Sequence, residues 1–520
     1  MGFRNMKALR PVFFVCFIFL VKTAFAQPFD MILAGDPVLE DLRFLSLESG
    51  RPFLSFTPPL APAEIENYLD SLDPSLLSGP AQEAYLRLRQ RLSPQSRLSF
   101  TSDVFSVLFD INSTLEGRVR FNRNLDWHPQ RPAIPPMLSA PLRISFTGIL
   151  QLYLEPFLAV IVPHYESAGT FGSNLHYDRD GRLDPTMPHR AFAALGGSWW
   201  NFQIGRDLLA WGTGHTGSLS FSDRANYFEY ARLSFFSEKI KYSIVINQMP
   251  LRIDAMPGIS PADGFYQTAQ RHFYLHRLDF MFRDTFSIGI MEGRMAGNSP
   301  LNLRYLIPLV NTAPSGDLTG SIFSLEANWN IIRSLSVYGQ FVMNDFAEPP
   351  NSLGFLAGLS VARSFTEWGS VFFFEYIHTY PYLYMNSSPF SSFIHMNRIA
   401  VAGGDVRYHS IGFPRDTSAL TLGARFFRGT GLSFEGEFTW LSRGEYATRY
   451  AAWSWNRDSS TARLGTPEHN FIAAFATQWW PLPFLGFNGS VTGIFSYNNR
   501  NEPGSNKTGG QLSFSVNFRY

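Results

Sequence analysis

From about Arg97 onward the chain keeps returning to a period of two, and that period limits the folds open to it. The final stretch, GGQLSFSVNFRY, sets Leu512, Phe514, Val516, Phe518 and Tyr520 against Gln511, Ser513, Ser515, Asn517 and Arg519. One face of such a strand is oily and the other polar, as a strand between two different solvents requires. The pattern recurs in Leu115, Val119 and Phe121 against Glu116, Arg118 and Arg120. It recurs again in Phe323, Leu325, Ala327 and Trp329 against Ser324, Glu326 and Asn328, and in Leu432, Phe434, Phe438 and Trp440 against Ser433, Glu435, Glu437 and Thr439. Charged residues held to one face this often do not suit the core of a soluble sandwich. They suit a barrel with lipid outside and a wet or salt-bridged lumen.

Composition agrees. The chain is 45% hydrophobic and 16% aromatic, yet only 16% charged, where a soluble chain carries roughly 25%. The amino terminus reads as an export signal: Arg4, Lys7 and Arg10, then an apolar stretch from Pro11 to Val21, then Ala24 and Ala26 before an expected cut at Gln27. The apolar run is shorter than the ~20 residues a spanning helix needs. Cys16, the single cysteine, lies inside that signal, so the expected mature chain has no disulfide and no thiolate metal site. Removing residues 1–26 takes the formal charge from +1 to −3. That balance gives no support for nucleic acid as a partner, and none is expected. The expected location is the bacterial outer membrane.

Three domains are expected: a signal peptide over 1–26, a periplasmic helical bundle over 27–95 and an outer-membrane β-barrel over 96–520. In the second, Asp36 and Pro37 open a helix. Leu39, Leu42, Phe44 and Leu45, then Ile65, Tyr68, Leu69 and Leu72, then Ala84, Tyr85, Leu88 and Leu92 recur near helical spacing. In the third, short turns alternate with long joints, as tight periplasmic turns and long external loops do in outer-membrane barrels. The fold class is therefore all-β: a transmembrane barrel of about eighteen antiparallel strands, with a small N-terminal α-helical bundle. Leu142 to Pro163 reads as one long strand in that count.

Three stretches resemble the Wzi family of capsule-assembly outer-membrane proteins. They are GDPVLEDLRFLSLESG followed by TPPLAPAEIENYL, FQIGRDLLAWGTGHTGSLSFSD at 202–223, and HRLDFMFRDTFSIGIMEG at 276–293. HSIGFPRDTSALTLG at 409–423 resembles a later segment. The resemblance implies a barrel of this size with helices on its periplasmic side. It also implies a lectin-like, non-catalytic role, holding exported capsular polysaccharide at the cell surface. A porin-like or substrate-specific channel is the alternative on the same barrel signal. The terminal aromatic Tyr520 implies contact with the barrel assembly machinery, and the outer face implies contact with outer-membrane lipid.

The candidate glycan contacts are Arg206, Asp207, Trp211, His215, Tyr382, Tyr384, Trp453 and Trp455. Arg206 and Asp207 would hydrogen-bond sugar hydroxyls or a uronate, and the aromatic rings would stack on pyranose faces. The competing reading pairs Arg206 with a lumen acid such as Glu292, leaves the strand-end tyrosines in the headgroup girdle and lets the tryptophans pack within their loop. Glu116, Arg118, Arg277 and Glu292 are expected to be structural charges in the lumen. His272 and His276 with Asp279 form no helical metal or catalytic geometry. No catalytic residue, metal or cofactor is expected.

Overall fold

The computed structural model describes residues 29–520 except 94–95, 97, 103, 123–124, 126–134, 147, 161–170, 175–182, 185–189, 222–226, 250, 253–267, 298, 309–317, 345–351, 387, 389, 397–407, 411, 446 and 448–464. Phe105–Phe109 and Asn112–Phe121 make one stave of a β-barrel, interrupted at Asp110 and Ile111. One edge of this stave pairs with Leu142–Phe146 and Leu138–Ser139 in a single register, Phe105 opposite Phe146 and Asn112 opposite Ser139. Its other edge pairs with the last strand, Lys507–Arg519, placing Glu116 opposite Ser515 and Arg120 opposite Gln511. First and last staves thus close a ring whose pairings among the described residues are antiparallel and follow chain order, except that Gly117–Val119 also pairs with Phe171–Ser173. The ring holds about eighteen staves. No helix among the described residues is long and apolar enough to cross a membrane.

Side-chain parity runs through the whole ring. Ile204, Leu325, Phe374 and Phe475 point outward and stay exposed, while their neighbours Gln203, Glu326 and Glu375 point inward and are buried. Closure leaves no open edge, which is the condition for a sheet to sit in hydrocarbon.

One reading is corrected: Leu142 to Pro163 is not a single strand. Leu142–Phe146 turns back into Leu150–Leu154, with Leu142 opposite Leu154. Gly148, at φ 68°, supplies the left-handed position for this tight reversal. A lone glycine between two apolar runs hid the turn.

Helix α1 (Val38–Ser49), α2 (Pro62–Asp70) and α3 (Gly79–Arg91) form as the apolar spacing expects. Asp36 Oδ1 accepts from the Val38 N–H at 3.1 Å and starts α1. Gly50, at φ 75°, ends it in the left-handed conformation. In α2 the Glu64 carboxylate reaches back to the Ala61 N–H at 3.0 Å. The apolar faces converge on Leu42, Leu45, Ile65, Leu69, Ala84 and Leu88, and this core also takes in Ala362 and Phe427 from the barrel wall. The Phe44 and Phe427 rings meet edge to face at 4.9 Å.

The helices sit at the end with the short turns. Arg51 bridges to Glu238 at 2.7 Å and to Asp284 at 3.4 Å. The Ser334 N–H donates to Leu47 O at 2.7 Å, and the Ser78 and Ser364 hydroxyls lie 2.8 Å apart.

Candidate functional site in the lumen

The loop after Trp200–Asp207 does not cover the mouth; it folds into the barrel. Its chain doubles back so that the Trp211 N–H donates to Phe221 O at 3.0 Å. Two inward side chains pin it to the wall. Glu375, fully buried, accepts from the His215 N–H at 2.8 Å, the Thr216 N–H at 3.0 Å, the Thr216 hydroxyl and the Tyr338 hydroxyl at 3.1 Å. Four donors satisfy a carboxylate that burial would otherwise penalise by several kcal/mol (~2–7 for a single unpaired polar group). Gln340 accepts from the Leu219 N–H at 2.7 Å and donates to Ser220 Oγ at 2.7 Å.

The loop then meets the helices from below. Arg43 of α1 donates to Thr213 O at 2.7 Å, and the Gly212 N–H donates to Phe56 O at 3.0 Å. From above, the segment following Trp368–Thr379 folds over it, and the Tyr384 hydroxyl donates to Leu219 O at 2.6 Å. A continuous apolar core of Trp211, Phe221, Phe273, Tyr384, Phe393 and their neighbours fills this side of the lumen. The lumen is therefore not polar throughout, as the alternation alone suggested.

His215 lies against the Phe373 ring at 4.4 Å, nearly parallel, with its Nε2 2.9 Å from Ser360 Oγ. Burial, then the Arg43 guanidinium, push its imidazole down to about 3, against the pull of Glu40. His215 is neutral here.

The opposite side of the lumen stays wet. On the inner wall formed by Leu432–Arg443, Glu468–Leu482, Leu485–Tyr497, Lys507–Arg519 and Asn112–Phe121, many inward side chains toward the short-turn end are only half-buried, whereas Arg443, Glu468, Asn470, Ile472, Ile494 and Ser496 toward the long-loop end are buried. Glu435, Gln478, Asn488, Gln511, Arg118 and Arg120 line it. Arg120 Nε donates to Gln511 Oε1 at 2.7 Å, and Arg118 pairs with Glu116 at 2.6 Å. Donors and acceptors side by side on one wetted wall suit a hydroxyl-rich or uronic ligand. The same alternation that revealed the strands contained these residues, but it did not show which half of the lumen the loops would leave open. Among the described residues no group of three or more His, Asp or Glu side chains is placed to hold a metal.

The sequence-derived candidates separate. Trp211 and Tyr384 are fully buried and Tyr382 nearly so, inside the apolar packing rather than at the mouth. Asp207 is buried in an ion pair with Arg190 at 3.0 Å. Arg206 lies on the opposite face of its strand, outward, across from Glu229 and with its guanidinium 5.9 Å from the Tyr227 ring centroid. Trp453 and Trp455 lie outside the described residues. Of the expected lumen charges, Glu116, Arg118 and Arg277 face inward; Arg277 binds Asp279 at 2.8 Å and Glu326 at 3.0 Å. Glu292 is a correction. It is the cross-strand partner of His276, on the outward parity of its strand. Arg277, one residue along, has the opposite parity, so the two cannot share the lumen.

A closed antiparallel barrel, with helices packed at the short-turn end and an inward loop filling one side of the lumen, is the architecture of an outer-membrane β-barrel. The family model for the capsule assembly protein Wzi matches residues 164–425, half of the chain and all of the inward loop, and the chain belongs to that family. A solved Escherichia coli structure, described as Wzi, an outer-membrane protein involved in group 1 capsule assembly and a carbohydrate-binding β-barrel, is similar over 93% of this chain and 98% of that chain, with 14% identity and a TM-score of 0.61. OccK10 of Pseudomonas aeruginosa is similar over 81% of this chain and 99% of that one, at 10% identity and a TM-score of 0.41. No curated protein matches the sequence.

Proposed function

We propose that this chain is a non-catalytic outer-membrane barrel that binds and retains surface, capsular polysaccharide. The observation that carries the reading is the division of the lumen. One side is packed from the helices to the inward loop, and the other keeps a half-exposed wall of mixed donors and acceptors. A packed core argues against bulk transport, and the half-exposed wall offers hydroxyl-binding chemistry. The membership of the family and the barrel likeness support the same reading.

In this reading residues 1–26 are a leader removed before Gln27. Residues 27–95 sit on the periplasmic side and residues 96–520 span the membrane, with the strand ending at Tyr520 engaging the assembly machinery. Arg118, Arg120, Gln511 and Glu435 make the inner glycan contacts, and Trp453 and Trp455 add stacking contacts to the sugar. The buried Trp211, Tyr382, Tyr384 and Asp207 and the half-buried His215 hold the loop that shapes this space.

The test is deletion of the protein in its encapsulated host. Polysaccharide should still be exported but be found mainly in the medium, and restored full-length protein should return it to the cells. An unchanged partition between cells and medium contradicts the proposal.

A further inference from the structure

The outer wall carries a patch that a lipid-facing barrel should not show. His272, Tyr274 and His276 lie on the outward parity of Arg271–Phe282, and Glu292 and Arg294 on that of Phe286–Gly297. Glu292 lies roughly 20 Å along its strand from the short turn, at ~3.3 Å per residue. A bare charge at such a site costs up to about 2–4 kcal/mol near the midplane. Yet the three rings among these residues are shielded, and Glu292 and Arg294 are half-buried. Tyr274 is 1% and His276 6% exposed, whereas outward neighbours Ile290 and Leu325 are 39% and 37% exposed.

The cover is the chain following Gly297, which turns back down the outside of the barrel. The Asn302 N–H donates to Tyr274 Oη at 2.7 Å. With its proton on Nε2, His276 donates to Tyr305 O at 3.1 Å and accepts from the Tyr242 hydroxyl at 2.9 Å. The Tyr305 ring packs 5.2 Å from that of Tyr274, and the Arg294 guanidinium lies 5.5 Å from it. A short 3₁₀ turn, Leu303–Leu306, satisfies its own backbone. On the far side, Leu301, Leu303 and Ile307 are 51%, 67% and 58% exposed, and Arg304 among them is exposed as well, with a side chain long enough to reach the headgroups.

We infer that residues 299–307 form a re-entrant strap seated in the outer leaflet, whose inner side satisfies the polar wall and whose outer side, Leu301, Leu303 and Ile307, contacts lipid acyl chains. Lipid is the occupant because the strap's apolar side continues the exposed outward rows of Ile290 and Leu325, which face hydrocarbon in any membrane barrel. Leucine and isoleucine at these exposures are costly in water, at about 25 cal/mol per Å². Beneath them the Asn302, Arg304, Tyr305 and Ile307 N–H groups and the Tyr305 carbonyl are hydrogen-bonded, which lowers the cost of seating this backbone in hydrocarbon. The inference rests on the barrel's lying in a membrane and is independent of what the lumen binds.

The test is spin-label accessibility in lipid vesicles. Cys16 is replaced by serine, and nitroxides are attached to Leu303→Cys and, as a second position, Ile307→Cys. Leu325→Cys on the outer wall is the lipid reference, and Leu86→Cys on α3 the aqueous one. At 303 and 307 the oxygen-to-nickel-chelate collision ratio should match that at 325 and exceed that at 86 several-fold. A ratio like that at 86 overturns the strap's lipid seat. Labels sheltered from both reagents also overturn it, since they place a second copy of the chain, not lipid, on this face.

Discussion

Lys241 on the inner barrel wall is ion-paired with Glu64 of helix α2, two residues 177 positions apart in sequence and both buried. Thr57 adds a hydroxyl 2.9 Å from the same ammonium. This contact ties plug to barrel. Removing one partner leaves a buried uncompensated charge, at a cost of about 3–5 kcal/mol. Glu64→Gln should therefore lower stability by that order in urea unfolding and loosen the helices to protease. The double variant Glu64→Gln with Lys241→Met should recover most of the loss. An undiminished midpoint in the single variant contradicts the pairing.

Acid should unseat the inward loop. His215 is neutral and half-buried, with its imidazole pushed down to about 3, while in the released loop it titrates at the ordinary value of ~6.5. Because the released state takes up the proton, the seat is at full strength above ~6.5 and weakens as pH falls from there toward about 3, by at most ~1.4 kcal/mol per pH unit. Protease cleavage within 208–221 should rise on acidification to pH ~5. His215→Phe, which keeps the stack on Phe373 and removes the proton site, should flatten that dependence.

Gly214 fits where no other residue does. A Cβ there would overlap the Gly217 carbonyl oxygen and press within 3.2 Å of the Glu375 carboxylate. Gly214→Ala should cost about 1–3 kcal/mol of loop seating. The check is proteolysis of the loop at neutral pH with barrel folding intact, read by heat-modifiable gel migration.

The helices at the short-turn end and the inward loop predict electrical silence. Full-length protein in planar bilayers should give no large steady conductance. Deleting residues 27–95 removes α1, Phe56 and Arg43 from beneath the loop and should open steady channels in folded barrels. Large conductance from the full-length protein would favour the channel reading.

The strands were legible because each must alternate to face lipid and lumen, so Glu116 with Arg118, or Ser324 with Glu326, announces its stave locally. The helices were legible for a similar reason, their apolar residues recurring at helical spacing. What the lumen holds was not legible. Trp211 and Tyr384 have the composition of a sugar platform, and only contacts far away in sequence, Leu219 to Tyr384 or His215 to Glu375, show that they are packing. Glu292 misled for a related reason. A charge on a barrel strand implies the lumen unless another segment packs on that outer wall, and the residues that pack beside Glu292 on Tyr274, His276 and Arg294, Asn302 and Tyr305, come from a loop with no period of its own. Parity counted from Arg277 was the one signal that would have placed it outside.

Direct binding of polysaccharide to the purified chain tests the central claim most closely. Full-length protein in lipid vesicles is titrated with the host's capsular polysaccharide in a calorimeter. Saturable binding is expected, weakened at least several-fold by the paired substitution Arg118→Ala with Arg120→Ala, in a barrel that still migrates as folded. Heats indistinguishable from those of protein-free vesicles, with the barrel intact, would contradict the account.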